Sequence, residues 1–143
     1  MLKFRNLDID PDAPVDQWGV EGLLAAVERG DIRDWHRIAE AVTANPRGKV
    51  AAELKEVLVA TENPAMPALF SRILRRALLA TEAAERHEVV QELAAYLARS
   101  GMTRAEFAQQ LGTSPSRLST YLTGKVVPSA VVMVRARKLA ARR

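Results

Sequence analysis

Apolar residues recur at three- and four-residue intervals along most of the chain, and few segments alternate with period two, so the pattern predicts an all-α protein. The stretch GVEGLLAAVER, Gly19 to Arg29, reads as a short amphipathic helix with Gly30 as its C-terminal cap. Asp31 or Asp34 can begin the next helix, which carries Trp35, Ile38, Ala39 and Val42 on one face. It ends at Asn45-Pro46, because a proline disfavours helix at the residue before it. Lys49 to Ala60 repeats the pattern through Val50, Leu54, Val57 and Leu58, and Glu62-Asn63-Pro64 with Pro67 interrupts it. From about Pro67 to Ala80 a wide apolar stripe of Leu69, Phe70, Ile73, Leu74, Ala77 and Leu78 predicts a largely buried helix. Another begins near Thr81 or Glu82 and runs to Arg99, turning Val89, Val90, Leu93, Ala94 and Leu97 inward; Ser100-Gly101 closes it. The junction near residues 80 to 86 reads as continuous or kinked. Residues 1 to about 15 hold Pro11 and Pro14, with four aspartates by position 16, and read as an extended arm. Short connections between the helices predict a bundle.

Residues 103 to 129, TRAEFAQQLGTSPSRLSTYLTGKVVPS, punctuate the pattern differently. Thr103 can cap a helix with Glu106 three residues on, which makes a capping box. Phe107, Ala108 and Leu111 form its buried side, and Gly112 follows at once, where a sharp turn favours a residue without Cβ. Ser114 is a second N-cap, and Pro115 occupies the first helical turn, where its missing N–H does no harm. Leu118, Tyr121 and Leu122 form the buried face of this second helix; Gly124 ends it, and Pro128-Ser129 starts a final one. The small Ala108 lets the two helices cross closely while Leu118 anchors the second to a shared core. Two short helices joined at a glycine in this way predict a helix-turn-helix, whose second helix lies in the major groove of DNA.

The block LGTSPSRLSTYLTGKVVPS, and about residues 87 to 141 around it, resembles the helix-turn-helix of the phage repressor and Cro class, the xenobiotic-response-element family. The resemblance implies a lambda-repressor-like DNA-binding domain at residues 85–143, preceded by an acidic helical region at 1–84 with a dimerisation, partner or sensor role. It places the base-contacting positions on Pro115, Ser116, Arg117, Ser119 and Thr120, and the backbone-contacting positions on Thr103, Arg104, Ser114 and Lys125. Arg117 is the foremost candidate, since arginine bonds guanine O6 and N7 in the major groove. Contact of Arg117 with phosphate alone is an equal alternative, because many protein–DNA bonds go to the backbone. The family often has glutamine where this chain has Pro115, so a bidentate adenine contact from that position is not open to it.

Charge sharpens this division. From Arg99 onward there are nine Lys or Arg against the single acid Glu106, a net +8; residues 1 to 98 carry twelve against sixteen, a net −4. A basic module behind an acidic one suits a phosphate-docking surface. A solvated basic tail fits the same numbers, since Arg135, Arg137, Lys138, Arg142 and Arg143 lie close together near the end. The 143 residues favour one compact domain or two small ones. With no cysteine, disulfide frameworks and thiolate metal sites are excluded. The N-terminal MLKFRNLDIDPDAP lacks the apolar stretch of a signal peptide, and no run approaches the ~18 apolar residues of a membrane span. A soluble, cytoplasmic protein without membrane partners is expected.

Other chemistry has little footing. His36 and His87 fall in no metal-ligand spacing, and Asp8, Asp10, Asp12 and Asp16 lack the glycine and terminal glutamate of a calcium loop. There is no phosphate-cradling glycine loop, and Trp18 and Trp35 are most simply core. No enzymatic activity, cofactor or metal is expected. The expected function is a repressor acting on double-stranded DNA as a homodimer. Two rivals stand beside it: the antitoxin of a toxin–antitoxin pair, with a toxin as partner of the N-terminal region, and a basic module binding nucleic acid without sequence preference.

Overall fold

A computed structural model describes residues 9–142, so Asp8 of the acidic run, the start of the N-terminal arm and Arg143 of the basic tail lie outside the described residues. All regular structure among the described residues is helical. A 3-10 turn at Val15–Gln17 is followed by seven α-helices: α1 Gly19–Arg29, α2 Ile32–Ala44, α3 Lys49–Ala60, α4 Ala65–Ser100, α5 Arg104–Leu111, α6 Pro115–Leu122 and α7 Ala130–Ala141. The chain divides into two units, the first ending at Thr81 and the second beginning at Glu82. Among the described residues, no helix is long and apolar enough to cross a membrane.

In the first unit, Leu23 and Val27 of α1, Ile38 and Val42 of α2, Leu54 and Val57 of α3 and Phe70 of α4 are fully buried around Trp18. The Trp18 indole Nε1 donates to the Ala13 carbonyl at 3.0 Å, and the Arg37 guanidinium lies 4.8 Å from its ring centroid. Arg37 also donates to the carbonyls of Pro11 (2.8 Å) and Ala13 (2.7 Å). The arm is therefore turned rather than extended over its described part. Asp10 accepts from Ala13 N–H through its carbonyl and from Asp12 N–H through its side chain, and Pro11 sits where a turn wants a fixed φ.

Both candidate aspartates take part in starting α2. Asp31 is the N-cap and accepts from the N–H groups of Arg33 (2.9 Å) and Asp34 (3.3 Å), while Asp34 accepts from the Asp31 N–H at 3.0 Å. The Asp34 N–H donated to it holds the Asp31 carboxyl below its usual range. Gly30 is the C-cap of α1, as its position predicts. It ends the helix in an extended conformation (φ −76°, ψ 177°), because the chain passes straight into the extended cap of α2. What excludes a side chain is proximity: a Cβ at Gly30 would lie 2.4 Å from the Ala26 carbonyl oxygen.

The junction near residues 80 to 86 is continuous: one helix, α4, runs through it and starts before Pro67. Pro67 lies in its first turn, where N–H groups have no intrahelical acceptor, so it does not interrupt. Asn63 Oδ1 accepts from the Ala65 N–H at 3.1 Å, and no Gly or Pro occurs between Ala68 and Ser100. The apolar stripe is narrower than its sequence suggests. Phe70 and Ala77 are buried, Ile73, Leu74 and Leu78 half-buried, and Leu69 remains 45% exposed. Further along, Leu93 and Tyr96 are buried, whereas Ala94 faces solvent, one helical step off that face. Residues 83–88 between these two buried stretches are all exposed.

The second unit has its own core. Leu93 and Tyr96 of α4, Phe107, Ala108 and Leu111 of α5, Leu118 and Tyr121 of α6, and Ala136 and Leu139 of α7 are buried together. Val132, Met133, Leu97, Met102 and Leu122 pack against them partly buried.

Candidate nucleic-acid interface

The local sequence builds the two helices as its caps require. Thr103 Oγ1 accepts from the Glu106 N–H at 3.2 Å, and Glu106 Oε2 accepts from the Thr103 N–H at 3.0 Å, a complete capping box. Gly112 ends α5 in the left-handed region (φ 79°, ψ 31°). Its N–H bonds the Gln109 carbonyl at 3.0 Å and the Thr113 N–H bonds that of Ala108 at 2.9 Å, the paired bonds of a Schellman ending. Ser114 Oγ then accepts from the Arg117 N–H at 3.1 Å and starts α6, with Pro115 in its first turn. Ser129 Oγ does the same for Val132 N–H at the start of α7 (3.2 Å).

Burial decides which side of α6 is free. Leu118 and Tyr121 are held in the core, which turns Pro115, Ser116, Arg117 and Ser119 to solvent and leaves Thr120 half-buried. Thr103, Arg104, Ser114 and Lys125 are exposed as well: Thr103 and Arg104 at the start of α5, Ser114 at the start of α6, and Lys125 in the loop after α6.

Several of these side chains already have local partners. Thr120 Oγ1 donates to the Arg117 carbonyl at 2.6 Å, so its hydroxyl is left as an acceptor and its methyl as an apolar contact. Ser114 and Ser116 hydroxyls lie 3.2 Å apart. Arg117 runs along its own helix. Its Nε donates to the Tyr121 hydroxyl at 3.1 Å, and its guanidinium carbon lies 5.8 Å from the Tyr121 ring centroid.

Two contributions were not drawn from the sequence. Arg135 of α7, there counted only as tail charge, reaches back to the turn and donates to the Leu111 carbonyl at 3.1 Å. Nothing in spacing signals a contact across 24 residues. Tyr121 packs in the core and also pairs with Arg117; the four-residue distance between them is the signal for that pairing. At the back of the unit, Tyr96 donates to Glu92, and Arg99 lies 5.2 Å from the Tyr96 ring centroid. The hydrogen bond to Glu92 pushes the Tyr96 hydroxyl above its usual value. Among the described residues, no three His, Asp or Glu side chains gather closely enough to hold a metal ion.

Two short helices at a left-handed glycine, with the second helix's outer face polar and uncovered by the rest of its unit, are the geometry of a known kind of domain. Residues 72–141 match a family of helix-turn-helix domains. The matched segment is just under half of the chain, begins within α4 and runs through α5 and α6 to the end of α7. No curated protein and no solved structure matches the chain. Within the helix-turn-helix, α5 supports and α6 presents the polar face.

Proposed function

We propose that the protein is a sequence-specific DNA-binding transcriptional regulator, acting as a repressor, that lays α6 in the major groove. The observation that carries this reading is the helix-turn-helix match over residues 72–141, on a unit whose α6 buries Leu118 and Tyr121 and exposes Ser116, Arg117 and Ser119. Residues 85–143 form the DNA-binding part. In it Pro115, Ser116, Arg117, Ser119 and Thr120 meet base edges. Thr103, Arg104, Ser114 and Lys125 meet phosphate, aided by the N-termini of α5 and α6. The cation excess from Arg99 onward draws the unit to the duplex. A homodimer would set two copies of α6 about 34 Å apart and select a two-fold site. The acting site is cytoplasmic.

Selection of bound sequences from a random duplex pool, at near-physiological salt, tests the reading. An enriched motif with two-fold symmetry is the expected result. Binding with no enriched motif would replace it with a non-specific basic module, whose affinity falls with salt alike for all sequences.

A second reading concerns residues 1–84. On the first unit Ile32, Val59 and Leu69 are exposed apolar side chains (76%, 88% and 45%), the surface a protein partner would cover. As an antitoxin, the chain would neutralise a toxin there and regulate its own gene through α6. Co-purification of a small protein encoded beside it is the expected sign; a chain that purifies alone from its own operon counts against it.

A further inference from the structure

Arg117 is an exposed side chain, yet it is partnered by a residue of its own helix. Its Nε–H is donated to the Tyr121 hydroxyl at 3.1 Å, and its guanidinium carbon lies 5.8 Å from the ring of the same tyrosine. Tyr121 is itself fixed, 6% exposed, with its ring in the core beside Leu118. The ring therefore serves as a mount and the hydroxyl as its fastening point. A phenylalanine would fill the same core volume without the fastening.

We infer that Tyr121 is a positioning residue for Arg117 and thereby makes guanine the preferred base opposite it. This rests on the proposed major-groove reading by α6. A guanidinium offers two paired-donor edges, one made by Nη1 and Nη2 and one by Nε with an Nη. With Nε committed to Tyr121, only the end-on edge of Nη1 and Nη2 is left, and no described residue accepts from either. Two parallel donors match the two acceptors O6 and N7 that guanine alone presents side by side in the major groove. Adenine offers an acceptor beside a donor there, and its N6 group opposes an arginine N–H. A loose arginine can satisfy a phosphate from many directions; a mounted one keeps its plane and its direction, and loses less freedom on binding. The Thr120 hydroxyl, tied to the Arg117 carbonyl at 2.6 Å, does not compete as a donor for the same base.

The test compares the wild type with Tyr121→Phe, Arg117→Ala and the double variant, using full-length chains and two duplexes. One carries the site recovered by selection; the other differs at the guanine to which Arg117→Ala becomes indifferent. Tyr121→Phe is expected to lose about 2- to 10-fold of the wild-type preference between them, the worth of one hydrogen bond. Its melting temperature and its affinity for random duplex should stay unchanged, and it should have no further effect once Arg117 is alanine. In the absence of DNA, the Arg117 Nε–H resonance should be slow to exchange in the wild type and fast in Tyr121→Phe. Full preference retained by Tyr121→Phe, equal losses on both duplexes, or an equal loss in the Arg117→Ala background would each overturn the positioning role while leaving DNA reading intact. A wild type with a slow Nε–H but no base preference anywhere would overturn the DNA reading and this inference with it.

Discussion

Arg135 Nη1 donates to the Leu111 carbonyl oxygen at 3.1 Å, so a cation from α7 closes the C-terminal end of α5 immediately before the turn. The last carbonyls of a helix carry partial negative charge and lack intrahelical partners, and a guanidinium supplies both donor and countercharge. The turn between α5 and α6 is thus held from outside the helix-turn-helix as well as by its own glycine.

Replacing Arg135 by alanine should destabilise the second unit by about 1 kcal/mol, below the usual range for a charged hydrogen bond because the side chain is exposed. Lysine should restore only part, since it lacks the planar fork. Denaturant unfolding followed by helical circular dichroism measures both; an alanine variant of wild-type stability would show that the contact is idle.

Gly112→Ala should cost about 1–2 kcal/mol, the penalty for a Cβ in the left-handed region. The added methyl would also approach Arg135 Nη1 at 3.3 Å, so it disturbs the same bond. The two losses should fall short of their sum in the Gly112→Ala, Arg135→Ala double variant, because the part of each that acts on the Arg135 contact is shared. Full additivity in the thermal or denaturant midpoint would contradict the coupling.

Tyr96 gives the second unit an alkaline limit. Its hydrogen bond to Glu92 favours the protonated phenol, with smaller support from burial and the nearby carboxylate charge, while Arg137 and Arg99 act the other way. A folded value raised above the unfolded 10.0 means that the contribution is fully present below that pH and is lost as pH rises through the folded value. Tyrosinate absorbance titrated in native and denatured protein should show one late-ionising tyrosine that disappears in Tyr96→Phe. If Glu92→Gln leaves that late step in place, the carboxylate is not its cause.

Lys125→Ala should weaken binding to cognate and random duplex about equally and reduce the slope of log affinity against log salt by about 1, as loss of one phosphate contact does. Fluorescence anisotropy at several salt concentrations reads this directly. A loss confined to the cognate site would assign Lys125 to base reading instead.

Much of the helix-turn-helix is legible in the residues because its determinants are local. Thr103 with Glu106, Gly112, and Ser114 with Pro115 each fix a helix end within four positions, and the caps form as their spacing predicts. The alternatives at Asp31 and Asp34 are also resolved locally, since a capping box needs both. What spacing could not reveal is set by neighbours distant in sequence. Arg37 folds the proline-containing arm back onto Trp18, and Arg135 finds the Leu111 carbonyl 24 residues earlier, at the end of α5. Apolar periodicity marks a helix face but not how much of it will be covered, which is why Leu69 and Ala94 end exposed. Pro67 falls in the first turn of α4, where a proline does not interrupt a helix, so the helix starts two residues before it.

In the exposed middle of α4, residues 83–88, no side chain is sealed from water, so the amide protons there are guarded by helix hydrogen bonds and not by burial. In heavy water such a turn opens by local unfolding, without waiting for a core to come apart. Deuterium should therefore enter this turn well before it enters the amides around Phe70 or Leu93, and a protease offered the native chain should find its foothold on the same six residues.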